Sequence, residues 1–434
     1  MTTNRMQPNI LFIMADQLAA KHIGCYGSGV DSTPTLDKLA SRGARFDRNY
    51  ASCPVCGPNR ATFLTGRSIQ HHGVVSNNYR VEATIPTYPK LLKTAGYHVG
   101  GFGKFHHHPM SLPLPDDISE FGFDESVITE DPKLGPWLDW IEREHPDHHE
   151  TAMAVAWPMP WAKEYGRDKR DLLTPMLEAR RKILGPLMEA SGLPMAYPSP
   201  LPKELHQTTY ITDCALDYMQ RRLSSDDGQP FFCYVSYVDP HDPYDPPAPY
   251  DTMFDPKDIP PPVGVPEGEL RVKMLERARD LWGCRDEVID PGKIAYLRAL
   301  FHGEVRFIDD QVARMLAFLE ERGELDNTII VFTTDHGEML GDFGLMTKAI
   351  KHQDAGARCP LIVAGPGVGV GVQHRLTCTL DFVPTFCEWG GVEGSIPLEG
   401  KSFAGAAANP AVDPKDWREV TVEAPINKPQ GPVH

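Results

Sequence analysis

Four short apolar runs decide what this chain can become: Asn9–Ala15, Phe231–Val238, Thr328–Thr333 and Pro360–Gly365. Each is continuously apolar or nearly so, where a strand with one wet face alternates. A run without alternation is buried on both faces, as happens in a parallel sheet covered by helices on either side. The first is too short to span a bilayer and reads as a central strand. Helical patterns lie between the runs. Pro34–Arg42 carries Leu36, Leu39 and Ala40 at helical spacing and stops at Gly43, a favoured residue just past a helix end. Phe307–Arg322 places Ile308, Val312, Met315, Leu316 and Leu319 on one face, and Asp381–Gly390 reads as a last core helix. The pattern predicts an α/β fold with a large mixed, mostly parallel sheet between helices. Two stretches break it: residues 131–202, rich in Trp, Pro and Met, read as an insertion, and 242–266 as a Pro-rich loop.

Several reactive residues sit just past the ends of these runs: Asp16 and Gln17 after the first, Asp239 and His241 after the second, Asp335 and His336 after the third. Open α/β sheets bind ligands at that edge. The balance of 43 Lys plus Arg against 59 Asp plus Glu leaves a net charge of -16, which argues against nucleic-acid binding. It also means that an anionic substrate needs local positive charge. The polar start, Met1–Pro8, is no secretory signal, and nine scattered cysteines fit reduced thiols better than a disulfide framework. A cytoplasmic protein without membrane association is expected.

The densest motif is Ser52-Cys53-Pro54-Val55-Cys56-Gly57-Pro58-Asn59-Arg60, followed by Leu64-Thr65-Gly66. The Cys53–Cys56 spacing alone allows a zinc half-site or a redox pair, but no second Cys or His pair at suitable spacing accompanies it. Cys56-x-Pro58-x-Arg60 resembles the signature of the formylglycine-dependent sulfatases, of the alkaline-phosphatase-like fold. The resemblance continues in Asn9–Gln17, Pro34–Phe46, Gly103-Lys104-Phe105-His106, Pro240-His241-x-Pro243, Thr334-Asp335-His336-Gly337-Glu338 and Gly344-Leu345-Met346-Thr347-Lys348. These motifs follow the family's order over about residues 9 to 390, and phosphonate monoester hydrolases share many of them.

The resemblance implies that Cys56, not Cys53, is converted by a maturation enzyme to formylglycine, whose hydrate attacks sulfur. Sulfate carried on one oxygen of a geminal diol then leaves by elimination, so a difficult step is split in two. By the same resemblance Asp16, Gln17, Asp335, His336 and residue 56 hold one divalent metal ion, calcium first, with manganese or magnesium as the other hard-ligand choices. Gln17 and His336 stand where the family often has Asp and Asn, which lowers the ligand charge. Arg60 and Lys104 orient the diol. Asn77, with Asn78 as fallback, and Lys348 contact the sulfate, His106 takes the diol proton, and His241 protonates the leaving group. His71, His72, His107, His108, His148 and His149 read as packed or solvated.

The implied function is hydrolysis of a small-molecule sulfate ester, an arylsulfatase in one version. Phosphonate monoester or phosphodiester hydrolysis is the alternative, set apart because known phosphonate hydrolases replace the Lys and His of Gly-Lys-x-His. A non-catalytic binding protein with unconverted Cys56 is the third. Residues 1–390 are expected to form the catalytic domain, with 131–202 over the active site. Residues 391–434 would start a small C-terminal subdomain that looks incomplete, and a homo-oligomer is compatible with that. Trp137, Trp140, Trp157 and Trp161 either line an aromatic pocket or pack the insertion onto the core.

Overall fold

A computed structural model of the chain describes residues 7–264, 290–348, 352–394, 398–412 and 418–423. Among the described residues nine strands form one sheet: β1 Asn9–Ala15, β2 Ala44–Tyr50, β3 His98–Gly103, β4 Glu125–Ile128, β5 Phe231–Ser236, β6 Thr328–Thr334, β7 Arg358–Ala364, β8 Gly371–Gln373 and β9 Thr377–Cys378. Their order is β4-β3-β5-β1-β6-β7-β2-β8, with β9 beside β2. From β4 to β6 every pairing is parallel; β7 runs antiparallel to both its neighbours. The helices that matter for the site are α1 Pro34–Ser41, α2 Cys56–Thr65, α3 Pro136–Glu144, α4 Gln207–Leu223, α5 Pro291–Glu321 and α6 Phe382–Gly390.

Strand β1 shows why the apolar run is unbroken. Leu11, Ile13 and Ala15 join one core, with residues of α1, α4 and α5; Ile10, Phe12 and Met14 join the other, with residues of α2 and α6. Successive side chains of a strand point to opposite faces, and here both faces are dry. On the second face Phe12 meets Phe386 at 5.0 Å, Tyr234 at 5.3 Å, and Phe63 and Phe382 at 5.9 Å between ring centroids. That aromatic cluster fixes α2, and so residue 56, against the sheet.

Two expectations need correction, and a third, Gly43 just past the helix end, holds for another physical reason. Helix α5 begins at Pro291, well before Phe307, capped by Asp290, whose side chain accepts from Lys293 N. Leu297 to Val305 are buried without interruption, so this stretch has no exposed face and shows no amphipathic period. Gly43 follows α1 but lies outside the left-handed region. A Cβ there would stand 2.1 Å from the Val363 carbonyl oxygen, so the glycine serves close approach of β2 to β7. Strand β5 ends at Ser236 rather than Val238, because the chain turns there and Tyr237 N donates to the Met14 carbonyl at 2.9 Å.

The stretch 131–202 builds a small core of its own, in which Trp137, Leu138, Ile141, Tyr197 and Leu201 are buried. Past Gly390, Phe403 is buried in the second sheet core and Arg418 forms a two-armed pair with Asp381 at 2.5 and 2.6 Å. Residues 395–397, 413–417 and 424–434 of the expected C-terminal part lie outside the described residues. Among the described residues no helix is long and apolar enough to cross a membrane.

Candidate active site

The carboxyl ends of β1, β3, β5 and β6 and the start of α2 meet at one point. Asp16 follows β1, Lys104 follows β3, Asp335 and His336 follow β6, and Cys56 opens α2, all of them almost fully buried. Arg60, one turn into α2, ties these ends together. Its Nε donates to Asp335 Oδ2 at 2.8 Å and its Nη2 to Asp16 Oδ2 at 3.2 Å; Nη1 donates to the Lys104 carbonyl and Ser236 Oγ, both at 2.8 Å, and to Tyr234 Oη at 3.1 Å. The planar fork of a guanidinium suits five directed contacts in a way that an ammonium does not. The Lys104 ammonium pairs with Asp16 Oδ2 and with Asp131. Its backbone position is set by Gly103, at φ 108°, where a Cβ would lie 1.8 Å from the Ser236 carbonyl oxygen.

A cation site is built into this arrangement. Both carboxylates give their Oδ2 atoms to Arg60, while Asp335 Oδ1 accepts from Gln17 N at 3.1 Å and His336 N at 2.9 Å. One ligand atom from each of Asp16, Cys56, Asp335 and His336 lies within 4.8 Å of the others. His336 Nδ1 donates to the Gly337 carbonyl at 3.0 Å, so when the ring is neutral its lone pair is on Nε2, which is 3.7 Å from Asp16 Oδ1 and 3.1 Å from Cys56 Sγ. Fixing the tautomer from outside is how a histidine is made ready for a metal. Two carboxylate oxygens, one imidazole and one atom of residue 56 fit a hard to borderline divalent ion. Gln17 borders the same place: its Nε2 donates to Asp242 Oδ1 at 3.2 Å and its Oε1 accepts from Lys348 at 2.8 Å. Its backbone is left-handed at φ 59°, uncommon for a residue with a side chain.

Positive charge surrounds Cys56. Lys348 Nζ is 3.2 Å from Cys56 Sγ and 3.2 Å from His241 Nε2. Burial and the Asp16 carboxylate disfavour a Cys56 thiolate, yet Lys104, Lys348 and His336 outweigh them and hold the thiol well below its ordinary range. Burial likewise opposes charge on His241, but Asp242, with help from Asp16, carries its pKa up to about 10. Burial works against Lys348 as well, while Cys56 and Asp16 push it up. Two cationic donors therefore face one another beside residue 56, an arrangement relieved by an anion between them. This is the local charge that a chain of net charge -16 requires for an anionic substrate.

The third group lies at the β3 and β4 ends. His106, left-handed at φ 55°, has its Nε2 3.2 Å from the Asn77 carbonyl, which makes Nε2 the protonated nitrogen; Nδ1 is 3.9 Å from Asp131 Oδ2. Glu130 Oε1 accepts from the backbone N of Phe105 and of His106 at 3.0 and 2.9 Å. Asn77 Oδ1 accepts from Gly57 N at 3.0 Å, which places Asn77 against the first turn of α2. Sequence reasoning did not single out Glu130 and Asp131 as site residues, nor Tyr234 and Ser236. The signal for the acidic pair was weak: they follow β4, a strand of four residues, Glu125-Ser126-Val127-Ile128, too short and polar to stand out. Of the histidines set aside, His107 is buried against Phe105 and Phe121, and His71 is paired with Glu399.

Comparison with known proteins agrees with this geometry. The chain is 29% identical over 433 residues to the multifunctional alkaline phosphatase superfamily protein PehA of Trinickia caryophylli, covering 94% of this chain and 78% of that protein. It is 30% identical over 424 residues to an arylsulfatase of Clostridium perfringens, covering 92% of this chain and 78% of the relative. Its fold matches a phosphonate monoester hydrolase from Silicibacter pomeroyi with a TM-score of 0.73 at 27% identity, over 95% of this chain and 78% of that one. The model of the sulfatase family matches residues 8–392, so the chain belongs to the sulfatase family of sulfuric ester hydrolases.

Proposed function

We propose that the protein hydrolyses small-molecule sulfate esters through a formylglycine made from Cys56. The observation that carries this reading is the convergence of Lys348 Nζ and His336 Nε2 on Cys56 Sγ, at 3.2 and 3.1 Å, with Asp16 Oδ1 at 4.0 Å. That sulfur stands where an oxygen of the hydrated aldehyde would stand. The hydrated aldehyde would supply a nucleophile that releases sulfate by elimination, and a divalent ion held by Asp16, Gln17, Asp335, His336 and residue 56 would supply charge neutralisation.

The chain's own residues do the rest. Arg60 and Lys104 keep the carboxylates and residue 56 in register. Lys348 and Asn77 bind the tetrahedral anion. As the bond from sulfur to the leaving oxygen breaks, its electron pair goes to that oxygen, which takes the proton of His241 Nε2. The Nδ1 of His241 is held 2.8 Å from the Asp242 carbonyl, so the ring presents Nε2 to the anion. His106 accepts the proton of the second diol hydroxyl when sulfate is expelled. Calcium is the first choice of ion. A cytoplasmic setting remains part of the proposal, on the odd number of scattered cysteines.

Phosphonate monoester or phosphodiester hydrolysis is the second reading, favoured by the likeness to the Silicibacter pomeroyi enzyme. Lys104 and His106, both near Asp131, are the Lys and His that known phosphonate hydrolases replace, and their presence favours sulfate. The test begins with fragment mass spectrometry of the tryptic peptide Asn49–Arg60 from protein made with its maturation machinery. An aldehyde at position 56 with a thiol at 53, and turnover of sulfate above phosphonate esters, is the expected result. An unmodified Cys56 in active protein would sink the mechanism.

A further inference from the structure

The four tryptophans of the insertion have different surroundings. Trp137 is buried in the insertion's own core, its Nε1 donating to the Leu205 carbonyl at 3.0 Å. Trp140 packs on Tyr210 with ring centroids 5.1 Å apart, and Trp161 stacks on Tyr165 at 6.5 Å. Trp157 is the one whose ring meets a residue of the active site: its half-buried indole lies 6.3 Å from the His241 ring, the planes at 63°. Its backbone N donates to the Pro132 carbonyl at 2.9 Å, one residue beyond the Asp131 that pairs with Lys104. The main chain at Trp157 is thus tied to the loop whose Asp131 pairs with the Lys104 ammonium.

The position of His241 gives that indole a purpose. Lys348 Nζ is equidistant, at 3.2 Å, from Cys56 Sγ and His241 Nε2. An ester anion bound by Lys348 beside residue 56 would present its bridging oxygen to His241, and the group on that oxygen would then lie next to the His241 ring, against which Trp157 packs. The neighbouring carboxylates are engaged, Asp131 with Lys104 and Asp242 with Gln17, so the flat apolar face of the indole is the recognition element on this side. We propose that Trp157 is the leaving-group platform of this enzyme and selects planar aromatic leaving groups, so that its substrates are aryl esters. This rests on the reading of His241 as the acid that protonates the leaving oxygen.

The test compares matured wild type, Trp157→Ala, Trp157→Leu and Trp157→Phe on 4-nitrophenyl sulfate and on 2,2,2-trifluoroethyl sulfate, with Trp140→Ala as a control for damage to the insertion. Stacking surface contributes to binding rather than to the chemical step, so Trp157→Ala and Trp157→Leu should lower kcat/KM for the aryl ester about tenfold or more, mainly through KM. The alkyl ester should change less than about twofold, and Trp157→Phe and Trp140→Ala should stay near wild type on both. Equal losses on the two esters, or no loss on the aryl ester, would overturn the platform. If matured protein turns over phosphonate esters and not sulfates, the sulfate reading fails by itself. The platform is then tested in the same way on phenyl against methyl phosphonate monoesters, with the same two outcomes. Protein that hydrolyses neither class overturns both.

Discussion

Arg60 donates to five groups drawn from the ends of four strands, and it is buried with two carboxylates that depend on it. Removing one partner from such a group leaves uncompensated buried charge, so Arg60→Ala is expected to cost about 3–5 kcal/mol of stability, read from urea unfolding. Arg60→Lys should recover little of it, since a single ammonium cannot reach both carboxylates and three further acceptors. Full recovery by lysine would mean that charge alone, not the fork, holds the strand ends. Asp131 is a positioning residue of the opposite sign: it pairs with Lys104 and faces His106. Asp131→Asn removes a charge-assisted partner worth about 1.5–3 kcal/mol, which in the transition state amounts to roughly 10- to 100-fold in kcat. Asp131→Glu should restore part of that loss, and KM should move less than kcat. A fall in stability with kcat untouched would reduce Asp131 to a packing role.

The buried stretch Leu297–Val305 in the first half of α5 carries His302, which lies 3.0 Å from Ser32 Oγ and packs beside Phe301 and the ring of His22. Burial first, and Arg298 second, push its pKa down from 6.5 to about 3. Between those values the unfolded chain binds a proton that the folded chain refuses. Its contribution is therefore whole above pH 6.5 and is lost as the pH falls toward 3. In His302→Gln the dependence of stability on pH between 6.5 and 4 should be flatter by up to about 1.4 kcal/mol per pH unit, measured by urea unfolding at several pH values. An unchanged slope would remove His302 from the acid-sensitive groups. The same stretch was illegible in the sequence, because periodicity reports contrast between faces and a helix dry all round has none. Runs such as β1 were legible for the complementary reason, since a strand dry on both faces reads as an unbroken run. Cys56, Arg60, Lys104 and Lys348 were found through contiguous motifs. Asp131 acts across the fold from a short edge strand, so nothing local marked it.

At the scale of the whole molecule, a chain with net charge -16 gathers Arg60, Lys104, Lys348 and His241 on one edge of its sheet and sets Asp16, Asp335 and Asp131 among them. A divalent ion held by Asp16 and Asp335, as proposed, would bind the folded state only, so chelation should lower both activity and the unfolding temperature. Adding back ion at 100 times its dissociation constant should restore about 2.7 kcal/mol. Calcium, magnesium and manganese added separately to stripped protein, with unfolding followed by fluorescence, rank the ions without recourse to turnover. A stripped protein with unchanged unfolding would argue against a resident ion. The insertion, with its own core, meets the chemistry at Trp157 and Asp131, which separates choice of substrate from the reacting groups. Strand β1, finally, sends alternate side chains into both cores and ends in Asp16, so the constellation has no scaffold of its own that can loosen while the rest stays folded. Heat inactivation and loss of tertiary structure should then fall on one curve, and a simple melting assay becomes a faithful reporter of the intact catalytic edge.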